Sequence, residues 1–132
     1  MKKWAVAIMV ACLSPLLSCS LLGPNVPSEL SGTWSRTSSD GYVEEFTFRS
    51  STIQYKGYSE DWPGEFDASY DAKIVEIFQG EDMLRTEDDM YFAWHVDGET
   101  LYLYKTNPYS EKPVLDATWW TSGEGYRTLY KS

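Results

Sequence analysis

From residue 31 onward, apolar and polar positions alternate with a period of two, broken at short intervals by turn residues. Tyr42, Glu44, Phe46 and Phe48 share one face of a run whose other face carries Val43, Glu45, Thr47 and Arg49. Ile53, Tyr55 and Gly57 alternate with Thr52, Gln54 and Lys56, and Met90, Phe92, Trp94 and Val96 alternate with Tyr91, Ala93 and His95. Leu101 and Leu103 alternate with Tyr102 and Tyr104, and a last run spans residues 125–131. Side chains of an extended chain point to opposite faces in turn, so each run predicts a strand with one buried face. Residues 73–78 are nearly all apolar, which predicts a strand covered on both faces. No stretch repeats apolar residues cleanly at helical spacing. Asp97-Gly98 between two alternating runs is a strong hairpin signal, and Asp40-Gly41 and Gln79-Gly80 read likewise. Trp62-Pro63-Gly64 breaks any strand near the middle, and residues 122–125 form a loop before the last strand. The expectation is an all-β chain with about eight or nine strands. Sequential hairpins favour a single up-and-down antiparallel β-barrel of about eight strands, since closure leaves no open edge.

The chain opens differently. Met1-Lys2-Lys3 is positive, and residues 4–17 are apolar apart from Ser14 and Pro15. That run is shorter than the ~20 residues a spanning helix needs and has the form of a secretory leader. It ends in Leu16-Leu17-Ser18-Cys19, which resembles the lipobox of bacterial lipoproteins, although Leu17 is larger than the residue usual at its place. The resemblance implies a signal peptide over residues 1–18, cleavage after Ser18 and lipid on Cys19. It places the protein in the cell envelope, held at the outer membrane and facing either the periplasm or the surface. The alternative is a plain secretory leader with Cys19 as an incidental thiol. Cys12 lies inside the leader, so the mature chain keeps one Cys and no disulfide. Residues 19–30, with Gly23, Pro24 and Pro27, read as a flexible tether to a domain over residues 31–132.

Leu30-Ser31-Gly32-Thr33-Trp34 opens the first strand. Gly-x-Trp at that place resembles the opening motif of lipocalins and the wider calycin group. The resemblance implies that Arg127, on the last strand, packs across Trp34 and closes one end of the barrel, a cation–π contact. The chain lacks the long helix that lipocalins place before their last strand, and it looks more like the small lipocalin-like domains of bacterial lipoproteins.

Charge and composition narrow the function. The chain has 132 residues and a net charge of −9, which deepens to −11 once Lys2 and Lys3 leave with the signal peptide. Nucleic acid is excluded as an ordinary partner, because phosphate binding needs a basic surface. An enzyme is not expected. His95 is the one His, placed on the outward side of its strand, and no Ser-His-Asp set assembles. No cofactor or metal is expected either: the acidic stretch Glu81-Asp82 and Glu87-Asp88-Asp89 lacks the spacing of a calcium loop. The richest lead is aromatic, with ten Tyr, six Trp and five Phe. Trp34, Glu44, Phe46, Phe48, Tyr55, Phe92 and Trp94 fall on the inward face and are the candidate lining of a ligand site. Glu44 there either orients a polar ligand group or pairs with a Tyr hydroxyl or Arg. Tyr102, Tyr104 and Tyr126, on the outward face, are the candidate surface for a protein partner. Trp119-Trp120 is expected to set one ring on each face of a strand. Two functions follow: a barrel that binds a small apolar or amphipathic ligand, or a filled-core lipoprotein that acts through protein contacts as an adhesin, inhibitor or structural component.

Overall fold

A computed structural model describes residues 24–132; the expected leader and the lipidation site Cys19 lie outside the described residues. Eight strands follow one another: β1 (Gly32–Thr37), β2 (Tyr42–Phe48), β3 (Thr52–Ser59), β4 (Phe66–Phe78), β5 (Met83–Thr86), β6 (Tyr91–Asp97), β7 (Thr100–Lys105) and β8 (Arg127–Lys131). Each pairs antiparallel with its chain neighbour, and β1 pairs with β8, so the sheet closes as an up-and-down barrel. The hairpin at Asp97-Gly98 forms as its sequence requires. Asp97 pairs with Thr100 and Gly98 takes φ 63°, a conformation open to glycine without strain.

The alternation sorts the faces as the pattern demands. Trp34, Phe46, Phe48, Ile53, Phe92, Leu101, Leu103 and Leu129 are all buried inside, with Ala72, Ile74 and Leu84 from the opposite wall. The run over 73–78 is not covered on both faces, because Lys73, Val75 and Glu76 are exposed. A bulge at Val75 explains its composition. Ile74 pairs with Thr86 but Glu76 pairs with Arg85, and the extra residue returns Ile77 to the inner side.

The two ends of the barrel differ. One carries the tight connections 49–51, 79–82 and 98–99, and the other carries 38–41, 60–65, 87–90 and the long segment 106–126. The tight end is plugged. Leu30 is fully buried, and the Trp34 indole donates to its carbonyl at 2.8 Å. The Val26 amide donates to Ser50 at 2.9 Å, and Val26 packs on the core. Ordered packing thus reaches back into the segment expected to be a flexible tether.

The cation over Trp34 is Lys131, not Arg127. Lys131 is the register partner of Trp34 on β8, and its Nζ lies 4.7 Å from the indole centroid. It also donates to the Ser31 carbonyl. Gly32, at φ 106°, leaves clear the space this ammonium fills. Arg127 sits four residues earlier, roughly 13 Å away along the strand, near the other end of the barrel. There its guanidinium lies 5.9 Å from the Phe46 ring. Closure by a cation on the opening Trp therefore holds as a device, carried by a different residue. Trp34→Ala, which deletes a fully buried ring and its hydrogen bond to Leu30, should cost ~3–5 kcal/mol in urea denaturation. Lys131→Met should move the midpoint far less, since the ammonium is exposed.

Candidate functional site

The inward face changes character toward the end with the long connections. Past Trp34 the next inward position of β1 is Arg36, and ahead of Phe46 on β2 stand Glu44 and Tyr42. Past Ile53 on β3 come Tyr55 and Gly57, ahead of Ala72 on β4 comes Tyr70, past Leu103 on β7 comes Lys105, and ahead of Leu129 on β8 comes Arg127. Polar and charged groups thus crown an apolar core. We call this end the mouth.

Glu44 is the hub. Tyr55 Oη donates to its Oε2 at 2.8 Å, and Arg127 Nε lies 3.2 and 3.3 Å from its two oxygens. Arg36 Nε stands 3.6 Å away. The carboxylate is only 14% exposed, so these partners are what make its charge tolerable there. The floor beneath is aromatic. Phe46 and Tyr55 lie 4.8 Å apart between centroids, and Tyr55 stacks on Tyr70 at 5.1 Å. Gly57 leaves room for the phenols. A Cβ there would stand 2.8 Å from Tyr55 Oη and closer still to Tyr42 Oη.

Two phenols at the mouth are held away from their ordinary ionisation. Burial raises the Tyr55 phenol above its usual range, reinforced by its hydrogen bond to Glu44. Burial likewise raises Tyr70, partly offset by Arg127 and assisted by Asp88 and Glu44. Its hydroxyl is buried without a hydrogen-bond partner. Beside it the wall is incomplete. Pairing of β4 with β5 begins only at Ile74, so Phe66–Lys73 pair as strand with β3 alone.

The expected lining residues divide. Glu44 and Tyr55 belong to the mouth, whereas Trp34, Phe46, Phe48 and Phe92 are packed almost solidly below it. Trp94 is buried at the tight end, where its indole N–H has no partner. Arg36, Tyr70 and Lys105 were not anticipated. Parity with Trp34 and Leu103 marks Arg36 and Lys105 as inward, but Tyr70 stands in an exposed, acidic stretch with no apolar alternation to reveal its strand.

The outer wall also reorganises. Trp119 and Trp120 do not straddle a strand; they lie in a 3-10 turn (Trp119–Thr121) folded over the outside of the barrel. The Trp120 ring stacks on His95 at 3.7 Å, and Trp119 packs edge-on against Tyr126 at 5.7 Å and Tyr104 at 6.3 Å. Tyr102, Tyr104 and Tyr126 are therefore half-covered by their own chain. Between this turn and residues 80–83 runs an open cleft of about 450 Å³. Its polar wall is Asp82, Asp116 and a Glu81–Lys112 pair at 2.9 Å. Asp88 and Asp89 are engaged locally by Thr86 and Arg85. Among the described residues, no group of three His, Cys, Asp or Glu side chains is placed to hold a metal ion.

No protein-family model, curated protein or solved structure matches this chain.

The mouth sets a pH dependence. Both phenols keep their protons more tightly folded than unfolded, so their contribution to stability is complete below pH ~10 and is lost as pH rises beyond it. Urea midpoints should fall from pH 9 to pH 11, and Tyr70→Phe should flatten that fall. At pH 7 the same variant should be neutral or more stable by up to about 1 kcal/mol, because it removes a buried hydroxyl with no partner.

Proposed function

We propose that the protein is a lipocalin-like lipoprotein of the cell envelope, anchored through Cys19, that binds a small amphipathic ligand at the mouth of its barrel and catalyses no reaction. One observation carries this reading. The polar, half-buried set of Glu44, Tyr55 and Arg127 stands on a stacked aromatic floor at the end of the barrel that the N-terminal segment does not plug. An apolar base with a few fixed polar groups is the usual composition of a small-molecule site. Trp34, Phe46, Phe48 and Phe92 are buried below the mouth, so the ligand sits above them. Glu44, already joined to Tyr55 and Arg127, positions those donors and does not itself hold the ligand. Protein binding through Tyr102, Tyr104 and Tyr126 is the weaker reading, since Trp119 packs against Tyr104 and Tyr126.

Two measurements test the two halves of the proposal. Native mass spectrometry of the mature protein, taken gently from the bacterial envelope, should show a discrete added mass. Gly57→Leu, which drives a side chain into Tyr42 and Tyr55, should abolish it. A bare protein mass under every gentle condition would overturn ligand binding. Separately, the wild-type chain should fractionate with membranes and carry the mass of a lipid, and Cys19→Ala should lose both; equal membrane retention by the variant would overturn the anchor.

A further inference from the structure

Several hydrogen-bond donors at the mouth have no partner among the described residues. Arg127 engages Glu44 through Nε, and its two Nη groups make no hydrogen bond among the described residues. Lys105 is half-buried and has no hydrogen bond or ion pair among the described residues. It lies one inward position beyond Leu103, the register partner of Arg127. Tyr70 Oη is buried and unpartnered. Arg36 approaches Glu44 at 3.6 Å without a hydrogen bond. Against three inward cations the mouth sets one inward carboxylate, Glu44; the connections at its rim carry further carboxylates, among them Glu60, Glu87 and Asp88. Asp88 is bound to the Thr86 hydroxyl.

These groups occupy neighbouring inward positions on adjacent strands, from Lys105 on β7 through Arg127, Arg36, Glu44 and Tyr55 to Tyr70 on β4. Lys105 is held below its ordinary ionisation range, by burial first and by Arg127 next, with Glu44 opposing. Tyr70 senses Arg127, Asp88 and Glu44. Cations crowded together and removed from water are costly unless an anion joins them. A domain this acidic could neutralise them with its own carboxylates, yet places only Glu44 among them. Donors left open in a half-buried site are the complement of an acceptor-rich anionic group.

We propose that the mouth takes the anionic head of an amphipathic acid, a carboxylate or a phosphate monoester, which accepts hydrogen bonds from the Arg127 Nη groups, Lys105 Nζ and Tyr70 Oη. This deepens the ligand-binding reading and rests on it. The apolar body of the ligand lies along Tyr70 and leaves by the side where Phe66–Lys73 have no β5 partner. Glu44 is a positioning residue: it fixes Arg127 through Nε and leaves the Nη edge facing the ligand. The requirement for a negative head also gives selectivity. A neutral alcohol of the same body would leave the cations without a counter-charge, and an ammonium would be repelled.

The test uses the lipidated protein in phosphatidylcholine nanodiscs, with empty nanodiscs as the blank, and four probes sharing one chain: octanoate, octyl phosphate, octanol and octylammonium. Saturation-transfer NMR and titration should show binding of the two anions at least roughly tenfold tighter than octanol, with octylammonium weakest. Inorganic phosphate should compete with both anions. Lys105→Gln, which breaks no hydrogen bond or ion pair among the described residues, should weaken octanoate roughly tenfold while leaving octanol binding unchanged and the thermal midpoint unchanged or raised. Tyr70→Phe should weaken the anions alone. Equal binding of octanol and octanoate would overturn the anionic head and leave the ligand site standing. Anion binding that Lys105→Gln and Tyr70→Phe both leave intact would place it elsewhere and overturn the assignment. Failure of all four probes, in a protein that also carries no added mass from the envelope, would remove the ligand-binding reading itself.

Discussion

An up-and-down barrel exists only if its first and last strands meet, and here they meet along a very short seam. Between β1 and β8 only Trp34 with Lys131 and Ser35 with Tyr130 are paired in register. The Ser132 amide extends the seam by donating to the Thr33 carbonyl at 3.0 Å. The upper half of β8, from Arg127 to Leu129, is held by β7 alone as strand. What ties it inward is Arg127 reaching past β1 to Glu44 on β2. One ion pair inside the barrel does for the mouth what Lys131 on Trp34 does for the base. Removing Glu44 would leave Arg127 partly buried without its counter-charge, whereas removing Arg127 would leave Glu44 to Tyr55 and Arg36.

The same pair explains why the mouth is polar at all. A filled barrel could end in more leucine, as the lower layers do. Instead the inward positions near the rim carry Arg36, Glu44, Lys105 and Arg127, which water reaches only in part. The arrangement gives up some apolar burial for fixed direction. Arg127 is held by its Nε, Tyr55 by its hydroxyl, and the rings beneath by stacking, so the remaining donors are preorganised. Tyr70 is the clearest sign of this exchange, since its hydroxyl is desolvated without any return in the free protein.

Much of the fold was legible because period two is a rigid signal. Once Phe46 is inside, Glu44 and Phe48 must be too, and both are. Turn chemistry at Asp97-Gly98 and Asp40-Gly41 placed the hairpins for equally local reasons. The misreadings were long-range. Which cation covers Trp34 depends on β1–β8 register, and no local pattern distinguishes Lys131 from Arg127. A bulge at Val75 mimicked a two-faced strand, because one extra residue shifts parity without changing composition. Trp119-Trp120 read as strand because two adjacent rings fit one, yet the turn folds them onto His95 and Tyr126 across the outer wall. The mouth was half visible: Glu44 and Tyr55 stood in clear alternation, while Tyr70 lay where β4 is exposed and its neighbours are acidic.

The docking of Val26 onto Ser50 fixes a direction as well as a contact. Val26 lies at the plugged base of the barrel, on the opposite side from the mouth. From Cys19 to Val26 even a fully stretched chain reaches only ~25 Å. A domain held at Cys19 would therefore stand on its base within about its own height of the attachment plane, its opening turned toward the surrounding solution. Anchored in that way, the protein would turn its plug, not its mouth, toward the bilayer.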